Sequence, residues 1–258
     1  MAIGGGTSSM KVGLILIGDE LLSGLRQDKH ATRVRQILKQ RGLQLHWIRI
    51  IGDDWDLLTQ TLRETFSSQD IVFSFGGIGA TPDDLTRQAA ASASNTRLVR
   101  HAEAVSLIEQ RFGDEAYPNR IRMAELPQGA SLLPNPVNQI PGFKIGHHHF
   151  VPGFPDMAWP MIEFALDRYY RDEFDFVPVI EKRWILRDVK ESDLIPMMET
   201  LLTTFPHVQL SSLPSTKERG RIDFGLKGKA IDLAPACSWF ELQLKSNHIH
   251  CESGPIAQ

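Results

Sequence analysis

Runs that are apolar at every position alternate with helically spaced ones over the first part of the chain. Val12-Gly13-Leu14-Ile15-Leu16-Ile17 has no polar residue, which suits a strand covered on both faces rather than one with a wet face. Gly18-Asp19-Glu20 breaks the run, and from Thr32 to Arg41 the apolar residues Val34, Ile37 and Leu38 fall at helical spacing. Leu45 to Ile51 predicts a second strand ending at Gly52-Asp53-Asp54, and Leu57, Leu58, Leu62 and Phe66 mark the core face of the next helix. Ile71-Val72-Phe73-Ser74-Phe75 predicts a third buried strand, closed by Gly76-Gly77. Successive strand–loop–helix units predict an α/β fold with a three-layer, doubly wound, mostly parallel sheet and right-handed crossovers.

Helical spacing returns over Ala104–Phe112, and Pro127, Pro134, Pro136 and Pro141 punctuate the stretch up to Gly142. A hairpin is expected next: Phe143-Lys144-Ile145, a turn at Gly146-His147-His148-His149, then Phe150-Val151. Pro152-Gly153-Phe154-Pro155 leads into a helix ending near Tyr170. The polar stretch Arg171-Asp172-Glu173-Phe174-Asp175 suggests a boundary, so the expected division is a flexible tail over 1–10, an α/β domain over 11–170 and a small α+β module over 178–258. Within the module, Val179–Val189, Val208–Leu213 and Ile222–Leu226 read as strands, and Ser192–Phe205 and Leu233–Leu244 as helices.

Composition narrows the function classes. Hydrophobic residues make up 42% and charged residues 23% of the 258 positions, as in an ordinary globular protein. The net charge of −3 gives no electrostatic reason to expect nucleic acid or an anionic membrane as a partner. No apolar run reaches the roughly 18 residues needed to span a bilayer. Met1–Ser9 lacks a basic segment followed by an apolar one, so it reads as a tail rather than a signal peptide. A cytoplasmic location is therefore expected. Cys237 and Cys251 read as idle thiols in a reducing compartment.

In open α/β sheets, ligands sit beyond the carboxyl ends of the strands. Those ends here carry Gly18-Asp19-Glu20, Gly52-Asp53-Asp54 and Gly76-Gly77-Ile78-Gly79. The densest stretch is Gly76-Gly77-Ile78-Gly79-Ala80-Thr81-Pro82-Asp83-Asp84-Leu85-Thr86. Glycines after a buried strand let the backbone approach a ligand, and their amides with a following helix start can hold phosphate oxygens. Asp83 and Asp84 suit a divalent ion, which takes carboxylates plus substrate phosphates. The plainer alternative is a tight turn with Thr81 or Asp83 as a helix cap.

With those residues stated, a resemblance emerges. Gly76, Gly77, Gly79, Asp84 and Thr86 stand in the Gly-Gly-x-Gly-x-x-x-x-Asp-x-Thr pattern of the molybdopterin-binding domain shared by MoaB, Mog, MoeA and CinA. Ile17–Gly24, Gly52-Asp53-Asp54, Leu133–Gly142 and Val151–Pro155 resemble further segments of that domain in order, the last two in their CinA form. The resemblance covers about residues 11–170 and is greatest with the amino-terminal part of CinA-type proteins. The chain departs from that pattern at His30, Ala80 and Asp156, where CinA-like sequences usually carry Asn, Pro and Glu. The module after residue 178 resembles CinA's KH-like middle module, while the nucleotide-amidase domain that follows in full-length CinA is missing up to Gln258. RNA-binding KH domains use a Gly-x-x-Gly clamp between helices. Gly220, Gly225 and Gly228 read as wrongly spaced for one, which leaves packing or dimerisation as the expected role.

The resemblance implies metal-dependent cleavage of a nucleotide pyrophosphate such as ADP-ribose or FAD. Asp84, Asp53 and Glu20 are then the candidate catalytic residues, and Asp84, Asp53 and Asp19 the candidate ligands of a Mg²⁺, Mn²⁺ or Co²⁺ ion. Gly76, Gly77, Gly79, Thr81, Asp83, Thr86, Gly18, Asp19 and His30 are the candidate ligand- and phosphate-binding residues. Two other outcomes stay open: binding or adenylylation of molybdopterin in cofactor biosynthesis, and a non-catalytic nucleotide-binding scaffold. In each the partner is a small nucleotide or pterin rather than nucleic acid or membrane. No tightly bound organic cofactor is expected, and the resemblance implies a homo-oligomer, dimer or trimer. His147-His148-His149 reads as a solvated hairpin tip rather than a metal cluster, since adjacent strand residues face opposite ways. His248, His250 and Cys251 lack an evident fourth ligand, and no Gly-x-Ser-x-Gly elbow occurs.

Overall fold

A computed structural model describes residues 10–177 and 179–254. Most of the expected tail falls on residues 1–9, outside the described residues. The chain divides into two compact units, one running to Phe174 and the other starting at Asp175.

The first unit opens with β1 (Val12–Ile17), the short α1 (Asp19–Leu22), α2 (His30–Lys39), β2 (Leu45–Ile51), α3 (Trp55–Phe66) and β3 (Ile71–Phe75). It continues through α4 (Thr86–Ala93), β4 (Leu98–Arg100), α5 (Ala102–Phe112), β5 (Glu125–Pro127), β6 (Ser131–Leu133), β7 (Gly142–Ile145), β8 (His148–Val151) and α6 (Pro155–Tyr169). The main sheet has the order β2-β1-β3-β8-β7-β6, while β4 and β5 pair as a separate ribbon. Its first four strands are mutually parallel, while β7 pairs antiparallel with β8, and β6 antiparallel with β7. The expected α/β class and parallel-rich sheet are what the chain forms.

The unbroken apolar runs follow from burial on both faces. Leu14 and Leu16 of β1 pack with Phe73, Phe75 and the inner sides of α2 and α6. Ile15 and Ile17 point the other way, into a core with Leu58 and Leu62 of α3, Ala89 and Ala90 of α4, and Ile108 of α5. Alternate strand residues thus enter different cores, which is the three-layer arrangement.

Local expectations fail at three places. Leu57 is 42% exposed instead of lying in the core, because it sits in the first turn of α3, its N–H donating to Asp54 Oδ1 at 2.8 Å. Neither Thr81 nor Asp83 caps a helix, since α4 starts only at Thr86 and has no side-chain cap. The hairpin turn is just Gly146-His147, so His148 and His149 are strand residues and are buried, at 2% and 0% exposure. β8 lies between β3 and β7, which removes the solvated tip the sequence suggested. His148 Nε2 meets Thr65 Oγ1 at 2.9 Å, and His149 bridges Val72 O and the Tyr170 hydroxyl, each at 3.3 Å.

The second unit comprises β9 (Val179–Arg187), α7 (Glu191–Thr204), β10 (Gln209–Pro214), β11 (Ile222–Lys229), α8 (Ala230–Ser246) and β12 (His250–Ser253). They form an antiparallel sheet of order β10-β11-β9-β12. Its core is built on Trp184, Leu186, Phe224 and Phe240, with Phe224 and Phe240 stacked 4.3 Å apart. The final strand β12 was not anticipated. Gly225 and Gly228 do stand at Gly-x-x-Gly spacing, but inside β11 rather than between helices. No helix among the described residues is long and apolar enough to cross a membrane.

Candidate functional site

Because β1, β2 and β3 run parallel, the loops after them emerge on one edge of the sheet. Main-chain bonds tie these loops down: Gly18 N–H donates to Ile51 O, and Gly76 N–H to Val151 O, both at 3.0 Å. Asp19 and Asp53 form a reciprocal clasp, each carboxylate accepting the other's main-chain N–H at 3.2 Å.

The glycine loop is shaped by tight contacts. Gly76 and Gly77 have φ of 99° and 67°, a region side chains disfavour. A Cβ on Gly77 would overlap Thr86 Oγ1, and one on Gly79 would overlap Asp84 Oδ2. Thr86, expected to bind ligand, is instead fully buried; its hydroxyl donates to Gly76 O at 3.1 Å and its N–H to Gly77 O at 3.0 Å. Asp84 accepts from both the N–H and the hydroxyl of Thr81, closing the turn. Arg87 reaches under the loop from α4, donating to Gly79 O at 2.7 Å and to Glu125 O at 3.1 Å. No glycine spacing announced Arg87, since its role rests on contacts from another part of the chain.

These walls enclose a cleft of about 510 Å³. Of the residues expected at the site, Gly18, Glu20, Asp53, Gly76, Gly77, Gly79, Thr81, Asp83 and Asp84 line it. Thr86 and Asp19 do not; the Asp19 carboxylate is turned to Asp53 N–H. His30 lines an adjoining cavity of about 290 Å³, which shares Ile17, Glu20, Arg26, Gly153 and Phe154 with the cleft. The His30 ring packs on Phe75 with centroids 4.3 Å apart, and its Nε2 meets Gly153 O at 3.2 Å. Burial lowers the His30 pKa against the opposing pull of that carbonyl and of Asp28, so the ring is neutral at pH 7, with Nε2 as donor to the carbonyl.

Electrostatically the cleft is acidic with one basic wall residue. Burial raises the Asp53 pKa, and the charges of Asp19, Glu20 and Asp83 push it the same way, against the bond from Asp19 N–H. Arg26, which the sequence did not single out, lines both cavities and lies 3.7 Å from Glu20. Also unmarked as site residues were Asn135, Asn138, Met123 and Met157, which line the cleft as well. Among the described residues, no group of three His, Cys, Asp or Glu side chains stands ready to hold a metal ion. Asp53 and Asp84 face the same cleft, so an ion there would draw its remaining ligands from phosphate oxygens and water.

Residues 13–171 match the family described as a probable molybdopterin binding domain. A CinA-like protein of Syntrophotalea carbinolica is 35% identical over 170 residues, 63% of this chain and 41% of that protein. A CinA-like protein of Citrifermentans bemidjiense is 38% identical over 161 residues, 60% of this chain and 39% of that protein. The chain thus spans about two fifths of the length of these relatives. A protein of Caldivirga maquilingensis is 30% identical over 206 residues, covering 75% of this chain and 77% of that one. Among solved structures, the CinA protein of unknown function from Thermoplasma acidophilum superimposes with a TM-score of 0.56 at 26% identity, covering 64% of this chain and 99% of that one.

Proposed function

From a chain that belongs to the molybdopterin-binding-domain family, in its CinA-like branch, we propose hydrolysis of a nucleotide pyrophosphate of the ADP-ribose or FAD class, assisted by a divalent ion. The observation that carries this is the cleft itself: a glycine loop at the carboxyl end of β3 shares one cavity with Asp53, Glu20 and Arg26. Backbone amides of Gly76–Gly79 suit phosphate oxygens, and the absence of side chains there lets a phosphate approach the main chain. Arg26 adds a fixed positive charge at the junction of the two cavities.

Asp53 is the best-placed base. Its raised pKa brings it closer to the operating pH than an ordinary aspartate, which favours proton abstraction from water. As Asp53 takes that proton, the water oxygen bonds to one phosphorus and the bridging P–O bond breaks, leaving two phosphate monoesters. Asp84 holds the loop closed through Thr81 and, as a carboxylate lining the same cleft, is the candidate ligand of the ion. A bound Mg²⁺, Mn²⁺ or Co²⁺ supplies neutralisation of phosphoryl charge.

The test is turnover of ADP-ribose and FAD by the full chain with Mg²⁺, Mn²⁺ or Co²⁺, beside Asp53→Asn and Asp84→Asn with matching melting curves. Each variant is expected to lose roughly a hundredfold or more, since losing the charge that holds an ion or takes a proton costs several kcal/mol. Undiminished turnover in a variant removes that residue from the chemistry. The family's description favours a second reading, molybdopterin binding; it prevails if the wild type cleaves no dinucleotide but binds the pterin.

A further inference from the structure

Arg87 stands in the first turn of α4 and is only 2% exposed, yet a guanidinium keeps its charge at any ordinary pH. Its acceptors are main-chain carbonyls: Nη2 donates to Gly79 O at 2.7 Å, and Nη1 to Glu125 O at 3.1 Å and to Arg122 O. Among the described residues no carboxylate lies within ion-pair distance of it. Asp84 accepts from Thr81 instead, and Glu125 pairs with Arg100 at 3.7 Å. Burial lowers the Arg87 pKa, and the charges of Asp84 and Glu125 oppose that only from farther off. A buried cation held by carbonyls alone is costly, and a neutral amide donor could serve Gly79 O with no charge to bury. We propose that Arg87 is a positioning residue and countercharge for an anion on the glycine loop, acting through the Gly79–Ala80 peptide rather than by contact. The proposal rests on the phosphate-binding reading of the cleft and adds what makes the loop receptive.

Two features of the loop carry it. The Gly79–Ala80 peptide is trans, so its C=O and N–H point opposite ways. With Gly79 O drawn to Arg87, which does not itself line the cleft, the Ala80 N–H is directed away from Arg87. Ile78, Gly79 and Ala80 all line the cleft, and among the described residues their N–H groups make no hydrogen bond. Successive unbonded N–H groups suit an anion. Arg87, the Gly79–Ala80 peptide and an anion on the Ala80 N–H would then form one hydrogen-bonded chain. Each bond in such a chain polarises the next, so the guanidinium makes the N–H a stronger donor. Its charge also acts on the anion with protein rather than water between them, where screening is weak.

The experiment titrates inorganic pyrophosphate by calorimetry into the full chain as wild type, Arg87→Lys, Arg87→Gln and Arg87→Met. Lysine keeps the charge, glutamine keeps a donor without charge, and methionine keeps neither. At pH 7, Arg87→Lys is expected to stay within about fivefold of wild-type affinity, while the two neutral variants lose about tenfold or more. A pH profile gives a second measure that does not need the neutral variants to fold. A buried lysine gives up its proton far more readily than an arginine. The deficit of Arg87→Lys relative to the wild type should therefore widen by about threefold or more between pH 7 and 10, as its charge is lost. The titration of pyrophosphate itself is common to both proteins and cancels. Equal affinities in Arg87→Lys and Arg87→Gln, or a lysine deficit that stays constant with pH, would show that Arg87 only braces the loop. Either result would overturn the proposal and leave the phosphate-binding reading intact. If the wild type does not bind pyrophosphate, that reading falls and the proposal with it.

Discussion

Lowering the pH from 7 to 5 should strip several kcal/mol of stability from the first unit, through histidines that take no part in the proposed chemistry. Burial lowers the pKa of His148 and of His149 from 6.5 to about 3. In the folded chain both stay neutral at pH 5, while in the unfolded chain both are protonated below about 6.5. The unfolded state therefore binds more protons between about pH 6.5 and about pH 3, and stability falls as pH falls through that window. At pH 5 an unfolded histidine lies about 1.5 pH units below its pKa, worth about 2 kcal/mol at 1.36 kcal/mol per unit. Subtracting the small amount already lost at pH 7, the pair gives a fall of about 4 kcal/mol, for any folded pKa below about 4. Against a typical total of 5–15 kcal/mol this is a large fraction. The lowered pKa of His30 acts in the same direction.

The measurement is urea unfolding at pH 7, 6 and 5, read by pulsed hydrogen exchange on peptides covering His148–Val151, so that only this unit is followed. His148→Phe provides the control. Phenylalanine suits the contacts with Phe66 and Phe150, and Thr65 still donates to Thr61 O and Leu62 O. Near pH 5.5 the wild-type slope should be about 2.5 kcal/mol per pH unit from the pair, and the variant should show about half of it. A wild-type change below about 1 kcal/mol between pH 7 and 5, or an unaltered slope in His148→Phe, would refute this account of the buried pair.

Two further outcomes follow from the packing. Gly77→Ala forces a Cβ onto Thr86 Oγ1 at a backbone conformation with φ of 67°, so the loop should shift, affinity for inorganic pyrophosphate should fall at least tenfold in calorimetry, and the melting temperature should drop by a few degrees. Phe224→Ala removes one ring of the stacked pair in the second core and should destabilise that unit by about 3–5 kcal/mol, read by hydrogen exchange of β9 and β11 peptides, while ligand binding by the first unit is retained.

The sequence alone determined the elements whose environment is set by their own residues. β1 and β3 were legible as apolar runs, since a strand covered on both faces leaves almost no polar position to confuse the period, and the partly exposed edge strand β2, with His46 and Arg49 in it, by its remaining apolar residues. Given parallel neighbours, their carboxyl ends had to share an edge, so Gly76–Gly79 and Asp53 were legible as cleft residues before any coordinate was known. Tertiary structure decided what depends on which neighbour covers a side chain. His147-His148-His149 reads the same whether at a tip or within a strand; only the insertion of β8 between β3 and β7 buries the last two. Thr86 looked like a ligand donor because hydroxyls serve ligands and carbonyls alike, and its partner, Gly76 O, lies ten positions back along the chain. Arg87 carried no spacing signal, because it acts through the carbonyls of Gly79 and Glu125, which only the folded chain brings together, and Asn135, read only as part of a family segment, lines the cleft because the stretch before β7 folds onto it. Periodicity reports how much of an element is covered; it does not report what a buried polar atom faces, which is fixed only when distant segments close around it.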